Sequence, residues 1–141
     1  MAHEPLQILL AEDDDGHARL IERNLKRAGF INQIVRARDG QEALDLVRGA
    51  ASSPITAHFL LLLDINMPRI DGVEVLRQLK SDAATREIPV VVLSAKGHAL
   101  TKVEAELAGA VLFLPKPFSP NQLLSEAQRI LGQGGGERKN D

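Results

Sequence analysis

Four short apolar runs in this chain each end on a polar or charged residue. Ile8 to Ala11 stops at Glu12-Asp13, Phe59 to Leu63 at Asp64, Val90 to Leu93 at Ser94, and Val111 to Leu114, after Pro115, at Lys116. Runs of this length, rich in Leu, Val and Ile, have the character of strands buried on both faces, as in a parallel sheet. Between them the apolar positions return at three- and four-residue steps. Ala18, Ile21, Leu25 and Ala28 mark a first helix, with Gly29 as its stop. Ala43, Leu44 and Val47 mark a second helix, opened by Asp39 with Glu42 three places on, and Val75, Leu76 and Leu79 a third, opened by Asp71 with Glu74 three places on. A fourth helix is expected from Ala99 to Ala108, closed by Gly109. The fifth starts at Ser119, with Pro120 in the first helical position, Gln122 three after the cap, and Leu123, Leu124, Ala127, Ile130 and Leu131 on the buried face. Ile31 to Arg36 reads as a weaker, partly exposed strand. Strand and helix alternate five times, so the expected fold is α/β, a parallel sheet covered by helices on both faces.

Two segments fall outside this alternation. Gly49 to His58 is a long connection, read as a solvated loop with a binding loop as the alternative. From Gly132 the chain is too polar and Gly-rich to pack, which predicts one domain over residues 1–131 and a disordered tail over 132–141. A single domain of 141 residues buries roughly 70% of its unfolded surface and needs no staple.

Composition narrows the function. A net charge of -2, four Phe and no Trp or Tyr give little to hold or stack nucleic acid. The absence of Cys removes zinc-thiolate and thiol chemistry, and no run approaches the roughly 18 apolar residues of a membrane span. The expectation is a cytoplasmic protein that binds neither nucleic acid nor membrane.

In a parallel sheet all four stops lie along the carboxyl edge, where open α/β sheets bind ligands. Glu12, Asp13, Asp64, Ser94 and Lys116 then share one site. Clustered carboxylates repel unless a cation is present, and a hard ion such as Mg²⁺ needs only one or two of them beside a phosphoryl group. Asp13 and Asp64 suit that role, Glu12 adds charge, and the backbone carbonyl of Asn66 is a further ligand candidate. Asp64 is also placed to act as a nucleophile toward phosphorus. Lys116 and Ser94, with the amide of Ala95, would then stabilise the phosphoryl oxygens. Each residue taken alone is weak evidence, and Asp14 and Asp15 read as cap or turn acids. Lys116 is more specific, since Pro115 and Pro117 restrain its backbone.

The segments ILLAEDD, LLLLDINMPRIDG, PVVVLSA and GAVLFLPKPF, in this order, resemble the receiver domain of two-component response regulators, and the likeness runs from residue 5 to 131. The resemblance implies a flavodoxin-like doubly wound sheet of order 2-1-3-4-5. It implies Asp64 as phosphoacceptor, Glu12 and Asp13 as the metal acid pair with Mg²⁺ or Mn²⁺, Ser94 as switch hydroxyl, Lys116 as the essential ammonium and a cis peptide before Pro117. Such a protein is not an enzyme beyond its own phosphorylation and dephosphorylation. Its partners would be a sensor histidine kinase or phosphotransfer protein and a downstream protein target, with a homodimer as a further option. Output would run through the surface of the fourth predicted helix, the fifth strand and the fifth helix.

With no output domain after residue 131, a stand-alone receiver is expected. The loop at 49–58 and the segment LKSDAATREIPVVVLS resemble small regulators paired with bacteriophytochrome or other sensor kinases. One departure is Phe113, where receivers often carry Tyr as a second switch residue. Lys96 and Asn66, near the path of a hydrolytic water, leave the phosphoryl lifetime open. A haloacid-dehalogenase-like phosphatase uses a similar set but needs an acid where this chain has Asn66. A flavodoxin-type cofactor binder would need a phosphate cradle where this chain has Glu12 to Asp15. The remaining alternative is a degenerate receiver serving as a protein-interaction module.

Overall fold

Strands β1 (Gln7–Ala11), β2 (Ile34–Ala37), β3 (Phe59–Asp64), β4 (Val90–Ser94) and β5 (Leu112–Pro115) form one sheet in the order β2-β1-β3-β4-β5, every pair parallel. The structure is a computed structural model and describes residues 7–51, 59–65, 67, 72–94, 109–116 and 118–134. Its helices are α1 (Asp15–Arg27), α2 (Gly40–Ala51), α3 (Gly72–Lys80) and α4 (Pro120–Gly134). The helix α4 is the fifth of the sequence pattern; the one expected at 99–108 lies outside the described residues, as does 52–58 of the long connection.

The strands sort their side chains by simple alternation. Ile8, Leu10, Leu60, Leu62, Val91 and Leu93 pack with Ala18, Ile21 and Leu25 of α1 and with Leu123 and Ala127 of α4. Leu9, Ala11, Leu61, Leu63, Val90 and Val92 pack with Ala43, Leu44 and Val47 of α2 and with Val75, Leu76 and Leu79 of α3. The central strands are therefore apolar on both faces, which is why their sequence reads as continuous runs.

Local signals place the helix ends. The last turn of α1 closes with Gly29 donating to Lys26 O and Phe30 to Leu25 O, both at 3.0 Å, and Gly29 takes φ +106°, open to glycine without strain. At α2, Glu42 N donates to Asp39 Oδ1 at 2.9 Å while Glu42 Oε1 accepts from Arg38 N at 2.7 Å. The Ser119 cap of α4 accepts from Gln122 N at 3.2 Å. Gly72 opens α3 under tighter constraint. A Cβ there would stand 2.6 Å from Ile65 Cα and 2.8 Å from Asp64 O, so only glycine lets α3 start against the end of β3. The Asp71 cap lies outside the described residues.

Three boundaries differ from expectation. Helix α2 runs on to Ala51, so Gly49 to Ala51, expected to open the long connection, are helical, the helix propagating through Gly49 at a modest cost. The second strand starts at Ile34 rather than Ile31, because the ladder pairs Ile34 with Ile8 and leaves Ile31 91% exposed. Helix α4 continues to Gly134, past the expected tail start at Gly132, since a helix already propagating tolerates a glycine for about 1 kcal/mol; residues 135–141 lie outside the described ones.

Candidate functional site

The carboxyl edge collects the four stops. Glu12, just past β1, keeps its amide in the sheet by donating to Ala37 O at 3.0 Å. Asp64 is the last residue of β3 and Ser94 the last of β4, and all three are buried, at 1%, 4% and 0% exposure. Lys116 follows β5, and its amide donates to Ser94 O at 2.6 Å. Its ammonium Nζ donates to Glu12 Oε1 at 2.8 Å and to Asp64 Oδ2 at 3.1 Å, with the side chain 19% exposed. Glu12, Asp64, Ser94 and Lys116 are thus brought together along one edge, with Lys116 bonded to the two carboxylates.

Asp13 completes the acid group from the exposed side. One carboxylate oxygen from each of Glu12, Asp13 and Asp64 lies within 4.8 Å of the others. Opposite ligands of an ion with oxygen bonds of about 2.1 Å are about 4.2 Å apart, so the spacing suits a hard divalent cation. The electrostatics point the same way. Burial pushes the Glu12 carboxyl up, and the neighbouring Asp64 charge adds to this against the bonds from Lys116 and Asp14 N. Burial works against the Lys116 ammonium too, but its bonds to Glu12 and Asp64 prevail and hold its pKa above the ordinary lysine value. The Lys116 ammonium keeps its proton, while burial leaves the Glu12 carboxyl harder to ionise than in water; a cation placed among these carboxylates would favour their charged forms.

Other predicted residues divide clearly. Phe113 of β5, opposite Val92, is half-buried against the layer formed with α2 and α3. Asn66, Ala95, Lys96 and Pro117 lie outside the described residues. Asp14 is the N-cap of α1, accepting from His17 N at 2.9 Å, a bond that holds its carboxyl below the usual range. Asp15 is likewise held low by Arg36. Sequence reasoning missed Arg36 itself, whose Nε and Nη2 donate to Glu12 O at 3.0 and 2.9 Å and whose Nη1 donates to Asp15 Oδ1 at 2.6 Å. The available signal was a basic residue in a short strand paired with the run that ends on the acids.

No helix among the described residues is long and apolar enough to cross a membrane. Comparison with known proteins bears on the same residues. The family described as the response regulator receiver domain matches residues 8–128. The response regulator MprA of Mycolicibacterium vanbaalenii is 37% identical over 127 residues, covering 90% of this chain and 51% of the relative. The chain therefore spans about half the length of that curated relative. A response regulator receiver domain from Rhodospirillum rubrum superposes with TM-score 0.71 at 32% identity, covering 93% of this chain and 95% of that one. The bacteriophytochrome response regulator AtBRR gives TM-score 0.73 at 32% identity, covering 96% of each chain.

Proposed function

The chain belongs to the response regulator receiver domain family, whose members are signalling modules rather than enzymes of an external substrate, and from that premise we propose that it is a stand-alone cytoplasmic receiver phosphorylated on Asp64. The observation that carries the reading is the double contact of Lys116 Nζ with Glu12 and Asp64 at the buried edge of the sheet. A carboxylate oxygen of Asp64 forms a bond to phosphorus as the P–N bond of a partner kinase's phosphohistidine breaks, the electron pair staying on the imidazole nitrogen, which then takes up a proton. Lys116 faces the oxygens on which charge collects, and its bond to Asp64 holds the nucleophile in line. Glu12, Asp13 and Asp64, with the carbonyl of Asn66, would hold Mg²⁺, which when bound supplies positive charge between the carboxylates and the phosphoryl oxygens. The hydroxyl of Ser94 and the amide of Ala95 complete the oxygen contacts.

The added charge of about -1.5 to -2 draws Ser94 toward the phosphoryl group, and Phe113 turns into the space beside β5. The faces of β5 and α4, with the segment before β5, then present a different surface to a downstream protein. Arg19, Arg23 and Lys26 are exposed on α1, which supports an acidic docking surface on the kinase. The likeness to AtBRR, which covers 96% of each chain, supports pairing with a phytochrome-like sensor kinase.

Incubation with a small acyl phosphate and Mg²⁺ tests the reading. Intact mass should rise by one phosphoryl group, borohydride should trap it at Asp64, and Asp64→Asn or a chelator should abolish it. Labelling at another residue, or none even with the cognate kinase, reduces the chain to a receiver-shaped interaction module.

A further inference from the structure

Resting on the proposal that Glu12 and Asp13 hold a divalent cation, we infer that Arg36 is the positioning residue that fixes this acid pair. Arg36 lies on the edge strand β2, its Cα opposite Leu10 in the ladder. Strand β1 ends at Ala11, and the Glu12 carbonyl just beyond it takes its donors from a side chain. Arg36 supplies two, Nε at 3.0 Å and Nη2 at 2.9 Å. The remaining arm, Nη1, reaches Asp15 Oδ1, at 2.6 Å the first residue of α1.

One rigid guanidinium therefore spans the turn from β1 to α1. The amide of Glu12 is held by Ala37 O, next to Arg36, so β2 grips both backbone polar groups of Glu12. Asp13, between the two anchored ends, has its carboxylate within the acid group. The Arg36–Asp15 ion pair is open on one side, with Asp15 61% exposed against 17% for Arg36, so as a salt bridge it contributes little. Its value is geometric: it sets the plane of the fork that holds the Glu12 carbonyl.

Arg36 acts on a cation in two opposite ways, and the opposition makes the inference testable. Its positive charge repels the ion, whereas its fork pre-arranges the ligands, an outer-shell effect usually worth 10–100-fold in affinity. Arg36→Lys keeps the charge and loses the planar fork. Arg36→Gln loses both.

Mn²⁺ alone is the probe, its affinity read by titration calorimetry on the intact chain, with the metal-free unfolding midpoint recorded for each variant. The expected result is roughly tenfold weaker binding in Arg36→Lys. A smaller loss is expected in Arg36→Gln, where repulsion is also relieved, and near-unchanged affinity in Asp15→Asn, whose amide oxygen still accepts from Nη1 and so keeps the plane of the fork. Wild-type affinity in both Arg36 variants overturns the inference, as does tighter binding in Arg36→Gln with no loss in Arg36→Lys, the signature of charge alone. A fall in the metal-free midpoint with unchanged affinity also overturns it, reducing Arg36 to a structural tie. These three outcomes leave the cation site intact. Failure of the wild type to bind Mn²⁺, or equal binding by Asp13→Asn, instead removes the acid-pair reading and the inference with it.

Discussion

Leu62 and Leu63 in the middle of the sheet and Asp64 and Glu12 at its carboxyl edge are almost equally hidden from solvent, with exposures of 0%, 0%, 4% and 1%. Their burial has opposite consequences. Enclosing a leucine side chain stabilises the fold by about 2–3 kcal/mol, whereas enclosing a carboxylate costs stability unless charge and hydrogen bonds are supplied in return. One chain thus alternates, within a single residue step, between a region optimised for folding and one held at a disadvantage that a ligand can relieve. What makes this possible is that the three central strands, β1, β3 and β4, are apolar on both faces, so the penalty falls on a sheet with stability in hand.

The comparison breaks first if the interior is not the source of that stability. Leu62→Ala should lose about 3–4 kcal/mol in urea denaturation, the range for a fully enclosed leucine whose surroundings cannot collapse. A loss below about 1 kcal/mol would mean that the sheet interior is not tightly packed. At the edge, Lys116→Ala should cost about 2 kcal/mol without metal, because two carboxylates lose their shared ammonium, the usual buried-pair penalty being lessened by the solvent access of the Lys116 side chain. Millimolar Mg²⁺ should restore part of that loss. Equal losses with and without Mg²⁺ would show that the carboxylates are not short of positive charge.

How far these two regions could be read from sequence differs for a physical reason. The interior was legible, since unbroken Leu and Val runs and the capping residues Asp39 and Ser119 act within a few positions of themselves. The edge was legible only as a set of stops, because the contacts of Lys116 with Glu12 and Asp64 span 104 and 52 residues. Arg36 is hard to pick out because its strand is short and half-exposed, and the one signal it carries, a basic residue in a strand beside the run ending on the acids, has meaning only once that pairing is known. The apolar pattern begins the second strand three residues early, at Ile31, whose apolar character is unrelated to burial here; only pairing with β1 sets the true register. Asp14 and Asp15 both sit at the start of α1 as expected, Asp14 as its N-cap and Asp15 in its first turn, where Asp15 also anchors Arg36.

A smaller effect separates edge charges from a charge placed elsewhere. Lys80 donates from Nζ to Arg86 O at 2.9 Å and Ile88 O at 2.8 Å, and burial lowers its pKa, with Glu87 opposing. The folded state therefore releases this proton before the unfolded state does. Between the lowered value and the ordinary 10.5 the unfolded chain binds more protons, so the contribution of Lys80 to stability rises with pH in that window. The stability of the wild type should accordingly climb relative to Lys80→Met as pH approaches 10.5, followed by chemical denaturation. Parallel curves would place the ammonium in solvent-like surroundings.

The central claim, that the carboxyl edge is held short of positive charge for a divalent cation between Asp13, Glu12 and Asp64, is tested most directly by the unfolding midpoint as Mg²⁺ is added. At about ten times its dissociation constant a ligand of the native state adds about 1.4 kcal/mol, a rise of about 4 °C for a domain of this size. The account predicts that rise in the wild type and a flat response in Asp13→Asn; an equal rise in both would put the cation elsewhere and contradict it.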